Sequence, residues 1–210
     1  PENPDDQPNP DDVYGHGTHV AGIITGSGAV SGGAIVGVAP DAVIMNGKVL
    51  DDFGFGADSQ IIAGMEWAAS EGADVVNMSL GLPGGYTDGT DPLALAVDEL
   101  SSAHDVLFVI AAGNEGGYGT ITTPGSSASA LTVSAVNAAD EPTGFTSRGP
   151  RSDGGAKPDI AAPGEDILAP WVGWPDAPEP YLSASGTSMA APHVAGVAAL
   201  LAQARPELDG

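Results

Sequence analysis

The chain has 210 residues, of which 42% are hydrophobic, so it can bury one core and is expected to form a single domain over residues 1–210. It carries 28 acidic and five basic residues, a formal net charge of −23, which excludes the cationic patches that nucleic-acid binding needs. The absence of cysteine excludes disulfide and thiol chemistry. No apolar run approaches the roughly eighteen residues of a membrane span, so none is expected.

Continuous apolar segments alternate along the chain with segments of helical periodicity, which predicts strands alternating with helices. This alternation is typical of an α/β protein whose parallel sheet is covered by helices on both faces. Segments 5–12 and 163–180 are rich in proline and polar residues and are predicted to be loops. In chain order, the predicted elements are helix 16–25, strand 43–50, helix 58–71, strand 74–79, helix 92–103, strand 106–112, strand 131–136 and helix 187–205.

A serine lies at the start of the last predicted helix. Residues 185–196 read Ser-Gly-Thr-Ser-Met-Ala-Ala-Pro-His-Val-Ala-Gly, so Ser188 opens an apolar helix just after a glycine that permits close approach. A helix N-terminus carries about half a positive charge and unpaired N–H groups, which favour negative charge on an oxygen there. A serine that attacks a carbonyl needs this position, a base and a donor for the oxyanion. Ser188 is therefore the candidate nucleophile.

Two further residues are candidates for the base and the donor. His16 begins an apolar helical pattern within Gly-His-Gly-Thr-His-Val-Ala-Gly at residues 15–22. Asn114 follows the buried strand 106–112 in the sequence Gly-Asn-Glu-Gly. Because open α/β sheets place their chemistry at the carboxyl ends of the strands, the Asn114 amide is well placed to donate to an oxyanion.

These motifs, in the order His, Asn, Ser, resemble those of the subtilisin-like serine proteases (subtilases, peptidase S8 family). The segments between these motifs also resemble the family's pattern, so the resemblance covers nearly the whole chain. They are Gly-Val-Ala-Pro at 37–40, Val-Asn-Met-Ser-Leu-Gly at 76–81 and Lys-Pro-Asp-Ile-Ala-Ala-Pro-Gly at 157–164. The resemblance implies a three-layer α/β/α fold and a serine endopeptidase that forms an acyl-enzyme. It also implies that Ser188 is the nucleophile, that His16 is the base and that Asn114 donates to the oxyanion.

The resemblance further implies an aspartate well before the histidine, in an Asp-Thr-Gly or Asp-Ser-Gly motif. Neither motif occurs in residues 1–210, and Asp11 and Asp12 are too close along the chain to orient His16 from behind. We therefore expect a central piece of a subtilase catalytic domain, without the aspartate segment and the C-terminal helix, that is nearly inactive alone. In the family the aspartate strand lies between the strands matching 43–50 and 74–79, so a gap or an abnormal apposition is expected there.

By resemblance, two short segments form the walls of the first specificity pocket for a protein or peptide substrate. An extended edge that ends in glycine can pair with a peptide as an added strand. The walls are small, so a large apolar side chain should fit, and Glu115 is compatible with a basic one. The resemblance also implies a secreted protein, and we expect a monomer. The walls are Ser79, Leu80 and Gly81 on one side and Ala111, Ala112 and Gly113 on the other.

No cofactor is required for this reaction, and no metal site is predicted. His16 and His19 are three residues apart, but the glutamate of a zincin motif is absent between them. Many subtilases bind calcium, partly in the loop after the histidine helix. Here that loop, residues 26–34, contains no acidic side chain, so calcium is considered only for an intact parent protein.

The net charge is compatible with two kinds of protein, a halophilic one and an ordinary acidic secreted one. A net charge of −23 destabilises the compact state by self-repulsion, which high salt screens. Because only Lys48 and Lys157 are lysines, we favour a halophilic, halolysin-like member of the family over an ordinary acidic secreted enzyme.

Two alternative functions also stay open. A catalytically dead subtilase relative that acts as a binding or scaffold domain would explain the absent aspartate. A sedolisin-type acid peptidase shares the Gly-Thr-Ser motif but replaces the histidine, so His16 argues against it. The frame from Gly186 to Ala190 lacks the final glycine of an α/β-hydrolase elbow, so that fold is not indicated.

Overall fold

The computed structural model describes residues 11–172 and 179–207, which form four helices and six strands. All four predicted helices and three of the four predicted strands are confirmed, with ends that differ by at most one residue. In chain order the elements are α1 His16–Thr25, α2 Asp58–Ser70, β1 Val75–Met78, α3 Pro92–His104, β2 Leu107–Ala111, β3 Leu131–Val136, β4 Ile160–Pro163, β5 Ile167–Pro170, β6 Tyr181–Ala184 and α4 Thr187–Ala204.

Strands β1 to β4 form a parallel sheet in the order β1-β2-β3-β4. Val75 pairs with Leu107 at the start of β1, and Val133 pairs with Ile160 at the start of β4. Because all four strands run the same way, their carboxyl ends meet at one edge of the sheet, where side chains that follow the strands can converge. Strands β5 and β6 form a separate antiparallel hairpin.

The sheet is covered on both faces, because successive side chains of a strand point to opposite sides. Phe108 and Ile110 of β2 lie in one buried cluster with side chains of α2 and α3. Val109 and Ala111 lie in a second buried cluster with β3 and with Ala190, Ala191 and Val194 of α4. The three-layer α/β/α fold predicted from the sequence is therefore confirmed.

The predicted strand 43–50 is wrong. These residues form no strand, and the Val43 side chain is 96% exposed. An extended segment becomes a strand only when a neighbouring strand takes up its backbone hydrogen bonds, and none of the described residues does so here. The prediction failed because an apolar sequence does not by itself show whether a partner is available.

The predicted loop 163–180 is also partly wrong, because β5 lies inside it. Pro163 and Pro170 stand at the last positions of β4 and β5, where their missing N–H groups cost the ladder little. Strands β4 and β6 had not been predicted, since each has only four residues and its pattern is weak. Residues 173–178 of the predicted loop, and most of predicted loop 5–12, lie outside the described residues.

A cavity of about 1380 Å³ opens between segment 43–52 and β1. Within the described residues, β1 pairs only with β2, so its other edge is unpaired. Asn77 of β1 lines the cavity, and its Oδ1 atom is buried without a hydrogen-bond partner. The gap expected between segments 43–50 and 74–79 is therefore present.

Among residues 11–172 and 179–207, no helix combines the length and the apolar character needed to cross a bilayer.

Candidate active site

Ser188 is the second residue of α4 and lies in its first turn. The helix is anchored by its apolar face, since Met189, Ala190 and Ala191 are buried. The Ser188 hydroxyl is partly buried, and Oγ donates a hydrogen bond to the Ser79 carbonyl at 3.3 Å. The nucleophile predicted from the sequence is thus at a helix N-terminus, where unpaired N–H groups favour negative charge.

Asn114 follows β2, and hydrogen bonds hold its side chain at the start of α4. Its Oδ1 atom accepts from the Thr187 backbone N–H at 2.8 Å and from the Thr187 hydroxyl at 3.0 Å. Because a backbone N–H can only donate, the atom it meets must be the oxygen, which fixes the direction of the amide. Thr187 Oγ1 in turn accepts from the Gly113 N–H at 3.2 Å. Within the described residues, the Asn114 Nδ2 atom makes no hydrogen bond and is free to donate to a ligand.

The sequence motifs alone assign no role to Thr187. Its hydroxyl receives the Gly113 N–H and donates to Asn114, so it couples the end of β2 to the start of α4. The available signal was a hydroxyl residue in the first helical turn, a position where such side chains often bind backbone groups. The sequence could not show that its partners stand 74 and 73 residues away.

His16 is the first residue of α1, and the carboxylate of Asp12 caps this helix. Asp12 accepts from the N–H of Gly15 at 2.7 Å and from the N–H and hydroxyl of Thr18 at 2.7 and 2.8 Å. Burial raises the pKa of Asp12, but these donors outweigh it and leave the pKa below its usual value. The carboxylate is therefore engaged by the helix N-terminus and does not orient the His16 ring.

The hairpin β5–β6 packs against α1 at His19. His19 is fully buried, and its Nε2 atom lies 3.1 Å from the Ile167 carbonyl oxygen on β5 and 3.0 Å from the Leu182 carbonyl oxygen on β6. Trp171 packs against Gly15, where an added Cβ atom would lie 2.4 Å from the indole ring. Gly15 has φ of 94°, so glycine is favoured there on both steric and backbone grounds. These contacts fix the position of α1 and thereby of His16.

The environment of His16 favours the neutral imidazole. Burial lowers the pKa of His16, and the neighbouring His19 acts in the same direction, while the charge of Asp12 opposes both. A neutral ring can accept a proton at neutral pH, as a general base must. Within the described residues, no hydrogen bond is made by the His16 ring, so nothing there fixes its tautomer or orientation.

His16, Asn114 and Ser188 all line the cavity of about 1380 Å³ beside β1. Five of the six predicted substrate-binding residues line it as well, and Tyr86 donates to Glu115 at its rim over 3.4 Å. The structure does not bring Ala112 to the cavity. Its side chain is fully buried, its N–H donates to Val133, and its carbonyl accepts from Thr122. The five lining residues are Ser79, Leu80, Gly81, Ala111 and Gly113.

The loop after α1 offers a calcium ion no carboxylate. The Gly28 carbonyl already accepts from the N–H groups of Ser31 and Gly33 and from the Ser31 hydroxyl. No acidic side chain lies in residues 26–34, and calcium prefers several carboxylate and carbonyl oxygens. Across residues 11–172 and 179–207, no group of three or more His, Asp or Glu side chains is close enough to hold a metal.

Comparison with known proteins agrees with this arrangement. The profile of Peptidase_S8, the Subtilase family, matches residues 1–210. Pyrolysin of Pyrococcus furiosus is 40% identical over 249 residues, covering 90% of this chain and 17% of pyrolysin. Subtilisin DY of Bacillus licheniformis is 41% identical over 198 residues, covering 94% of this chain and 67% of that protein. The solved structure of sphericase is similar with a TM-score of 0.81 and 34% identity, covering 94% of this chain and 66% of sphericase.

The fold and the cavity define an α/β protein with a parallel sheet, in which a serine, a histidine and an asparagine line one cavity beside β1. The chain belongs to the subtilase family. It spans 17% of pyrolysin and 51% of the serine protease AprX of Bacillus subtilis, which is 39% identical over 227 residues.

Proposed function

We propose that the protein carrying this chain is a serine endopeptidase that cleaves peptide bonds through an acyl-enzyme. The observation that carries the proposal is the fixed direction of the Asn114 amide. Its oxygen is held by Thr187, so its Nδ2–H groups are left to donate beside the start of α4, where Ser188 lies. A preorganised donor of this kind stabilises charge that develops in the transition state, without reorganisation during the reaction.

In the proposed reaction, Ser188 Oγ attacks the scissile carbonyl carbon while its proton moves to a ring nitrogen of His16. The carbonyl oxygen becomes an oxyanion that accepts from Asn114 Nδ2 and from the Ser188 backbone N–H. His16 then donates its proton to the leaving amine as the carbon–nitrogen bond breaks. Water then attacks the ester carbon and gives a proton to His16, which returns it to Ser188 Oγ as the carbon–oxygen bond to the serine breaks.

We propose that the third member of the triad is an aspartate on a strand outside residues 1–210 that pairs with the free edge of β1. Three features support this: the unpaired edge, the cavity of about 1380 Å³ beside it, and the orphaned Asn77 Oδ1 atom. The aspartate would accept from His16 and hold its tautomer, a function whose loss costs about 10⁴-fold in turnover. Residues 1–210 alone are accordingly expected to be nearly inactive.

A catalytically dead binding domain is the second candidate. One observation favours it: Ser188 Oγ donates to the Ser79 carbonyl rather than to His16, and no described carboxylate meets the His16 ring. The engagement of Asn114 by Thr187 speaks against it, because a domain that only binds needs no oriented donor at the nucleophile.

We propose an extended polypeptide as the substrate, read mainly through its backbone. Ser79, Leu80 and Gly81 follow β1, so a peptide would lie along this segment as an added strand. The small residues of the facing segment leave room for a large apolar side chain before the cleaved bond. Glu115 at the rim would also favour a basic side chain there, because opposite charges attract.

We further propose secretion, a monomeric state and a halophilic source. Five basic residues cannot pair 28 acidic ones, so most carboxylates lack a cationic partner and repel one another. Four of the basic residues are already paired with carboxylates, and Arg148 lies over the Tyr118 ring at 5.8 Å. Dissolved salt is then the remaining source of screening.

Labelling of the full-length gene product by a fluorophosphonate tests the proposal, since this reagent modifies only an activated serine. We expect rapid labelling that is lost in Ser188→Ala and slowed in Asn114→Leu. Removal of such a donor from a subtilisin lowers turnover by about 10²- to 10³-fold, and a loss of similar size is expected here. Equal labelling of the parent and Ser188→Ala would contradict the assignment, and no labelling of a folded parent would favour the binding domain.

A further inference from the structure

Helix α4 contains a proline, Pro192, inside its second turn. In an α-helix each backbone N–H donates to the carbonyl four residues earlier. For residue 192 that carbonyl belongs to Ser188, and proline has no N–H to donate. The carbonyl of the candidate nucleophile therefore lacks its usual helical donor, and a partly buried carbonyl without a donor is costly.

A side chain from the sheet supplies the missing donor. The Ser79 hydroxyl, just beyond the end of β1, donates to the Ser188 carbonyl over 2.8 Å. Ser79 Oγ in turn accepts from Asn77 Nδ2 over 3.0 Å, so its own proton is directed to Ser188. Ser188 Oγ donates back to the Ser79 carbonyl over 3.3 Å. Two hydrogen bonds thus connect residues that are 109 positions apart in the sequence.

We propose that the Ser79 hydroxyl is a positioning residue for Ser188, which replaces the helical hydrogen bond that Pro192 removes. This inference rests on the proposed serine endopeptidase function and goes beyond the role of Ser79 as a pocket wall. A donor at the Ser188 carbonyl fixes the peptide plane that follows the nucleophile, and that plane sets the direction of the Ser188 side chain. The hydroxyl acts through Ser188 and need not touch the substrate.

The two roles of Ser79 make different predictions about Pro192. If Ser79 only forms a wall of the pocket, replacing it by alanine has the same effect whatever stands at position 192. If its hydroxyl replaces the helical donor, restoring that donor makes the hydroxyl dispensable. Pro192→Ala restores an N–H four residues after Ser188, so it should rescue Ser79→Ala.

The test is a double-mutant cycle in the full-length gene product with Ser79→Ala, Pro192→Ala and the double variant. Fluorophosphonate labelling rates report on the nucleophile, and urea unfolding reports on the hydrogen bond without requiring activity. We expect Ser79→Ala to shift the unfolding equilibrium by about five- to tenfold, the size of one hydrogen bond, and to slow labelling at least as much. In the Pro192→Ala background the labelling loss should fall to less than about twofold, as expected for coupled neighbours. The unfolding loss should become clearly smaller without vanishing, because Asn77 Nδ2 loses its Ser79 acceptor in both backgrounds.

Two controls sharpen the cycle. Ser101 of α3 has a comparable hydroxyl, which donates to the Val106 carbonyl over 2.7 Å. Because this hydrogen bond does not involve α4, Ser101→Ala should lower stability by the same amount with and without Pro192→Ala. Ser79→Thr keeps a hydroxyl and should retain most of the labelling rate.

Equal losses for Ser79→Ala in the two backgrounds would overturn the proposal, as would a Ser79→Thr variant no better than Ser79→Ala. A parent that is never labelled, but whose unfolding shows the coupling, would refute the endopeptidase while the link between Ser79 and Ser188 stood. If the parent is labelled but positions 79 and 192 show no coupling, the endopeptidase would stand and the link between Ser79 and Ser188 would be refuted.

Discussion

Lys157 is a buried cation whose removal should destabilise the fold strongly. Its side chain is 4% exposed, and Nζ donates to the Ala130 carbonyl and to Asp159 Oδ2, the latter over 2.7 Å. The same carboxylate oxygen accepts the Thr132 N–H over 2.8 Å. Lys157→Met would therefore leave a buried carbonyl unpaired and a carboxylate without its cation.

The magnitude follows from these two losses. Breaking a buried ion pair costs about 3–5 kcal/mol. The Asp159 side chain is 36% exposed and stays partly hydrated, which favours the lower end of that range, about 3 kcal/mol. For a chain of this length, 1 kcal/mol shifts the melting temperature by about 2–4 °C, so a fall of about 6–12 °C is expected.

Thermal and urea unfolding of Lys157→Met and Lys48→Met provide the assay. Lys48 pairs with Asp52 at the surface, with side chains 28% and 54% exposed, and such pairs contribute about 0–1 kcal/mol. Both variants change the net charge equally, so the difference between them isolates burial. A Lys157→Met variant that loses no more stability than Lys48→Met would refute the reasoning.

Three further predictions concern the cap, the base and the charge. Asp12→Ala should lower the unfolding free energy by about 1 kcal/mol, because the N–H groups of Gly15 and Thr18 at the start of α1 lose their acceptor. An unchanged urea midpoint would contradict the cap. The His16 imidazole should titrate below 6.5 by NMR in the folded chain and return to about 6.5 in urea. Since the unfolded chain then binds more protons, stability should fall as pH drops below 6.5, and a midpoint at or above 6.5 would be incompatible with this sign. Raising NaCl to molar concentration should raise the melting temperature, and a flat or falling curve would rule out the halophilic interpretation.

Elements whose packing is local could be predicted from the sequence. The bounds of α1 were predicted correctly because glycines stand on both sides of a regular apolar pattern. β3 follows from a six-residue segment in which Leu131, Val133 and Ala135 alternate with Thr132 and Ser134, a pattern typical of a strand. In both cases neighbouring residues carry the information.

Elements that depend on distant partners could not be predicted. Segment 43–50 has the composition of a strand, yet within the described residues no neighbour pairs with it. The hairpin β5–β6 is tied to His19 by carbonyls 148 and 163 residues away, which no local pattern contains. The same limit applies to the site: the motifs identified His16, Asn114 and Ser188, but not the use of Thr187 to fix the amide.

The free edge of β1 has a consequence for the behaviour of the protein in solution. Among the described residues nothing pairs with the outer edge of Val75–Met78, and an edge left open in this way can recruit a strand from another molecule. The net charge of −23 keeps molecules apart in dilute buffer. Salt screens the repulsion between molecules, and it also screens the repulsion among the carboxylates within each molecule. For a chain with this edge open, low ionic strength therefore favours unfolding and high ionic strength favours association through β1.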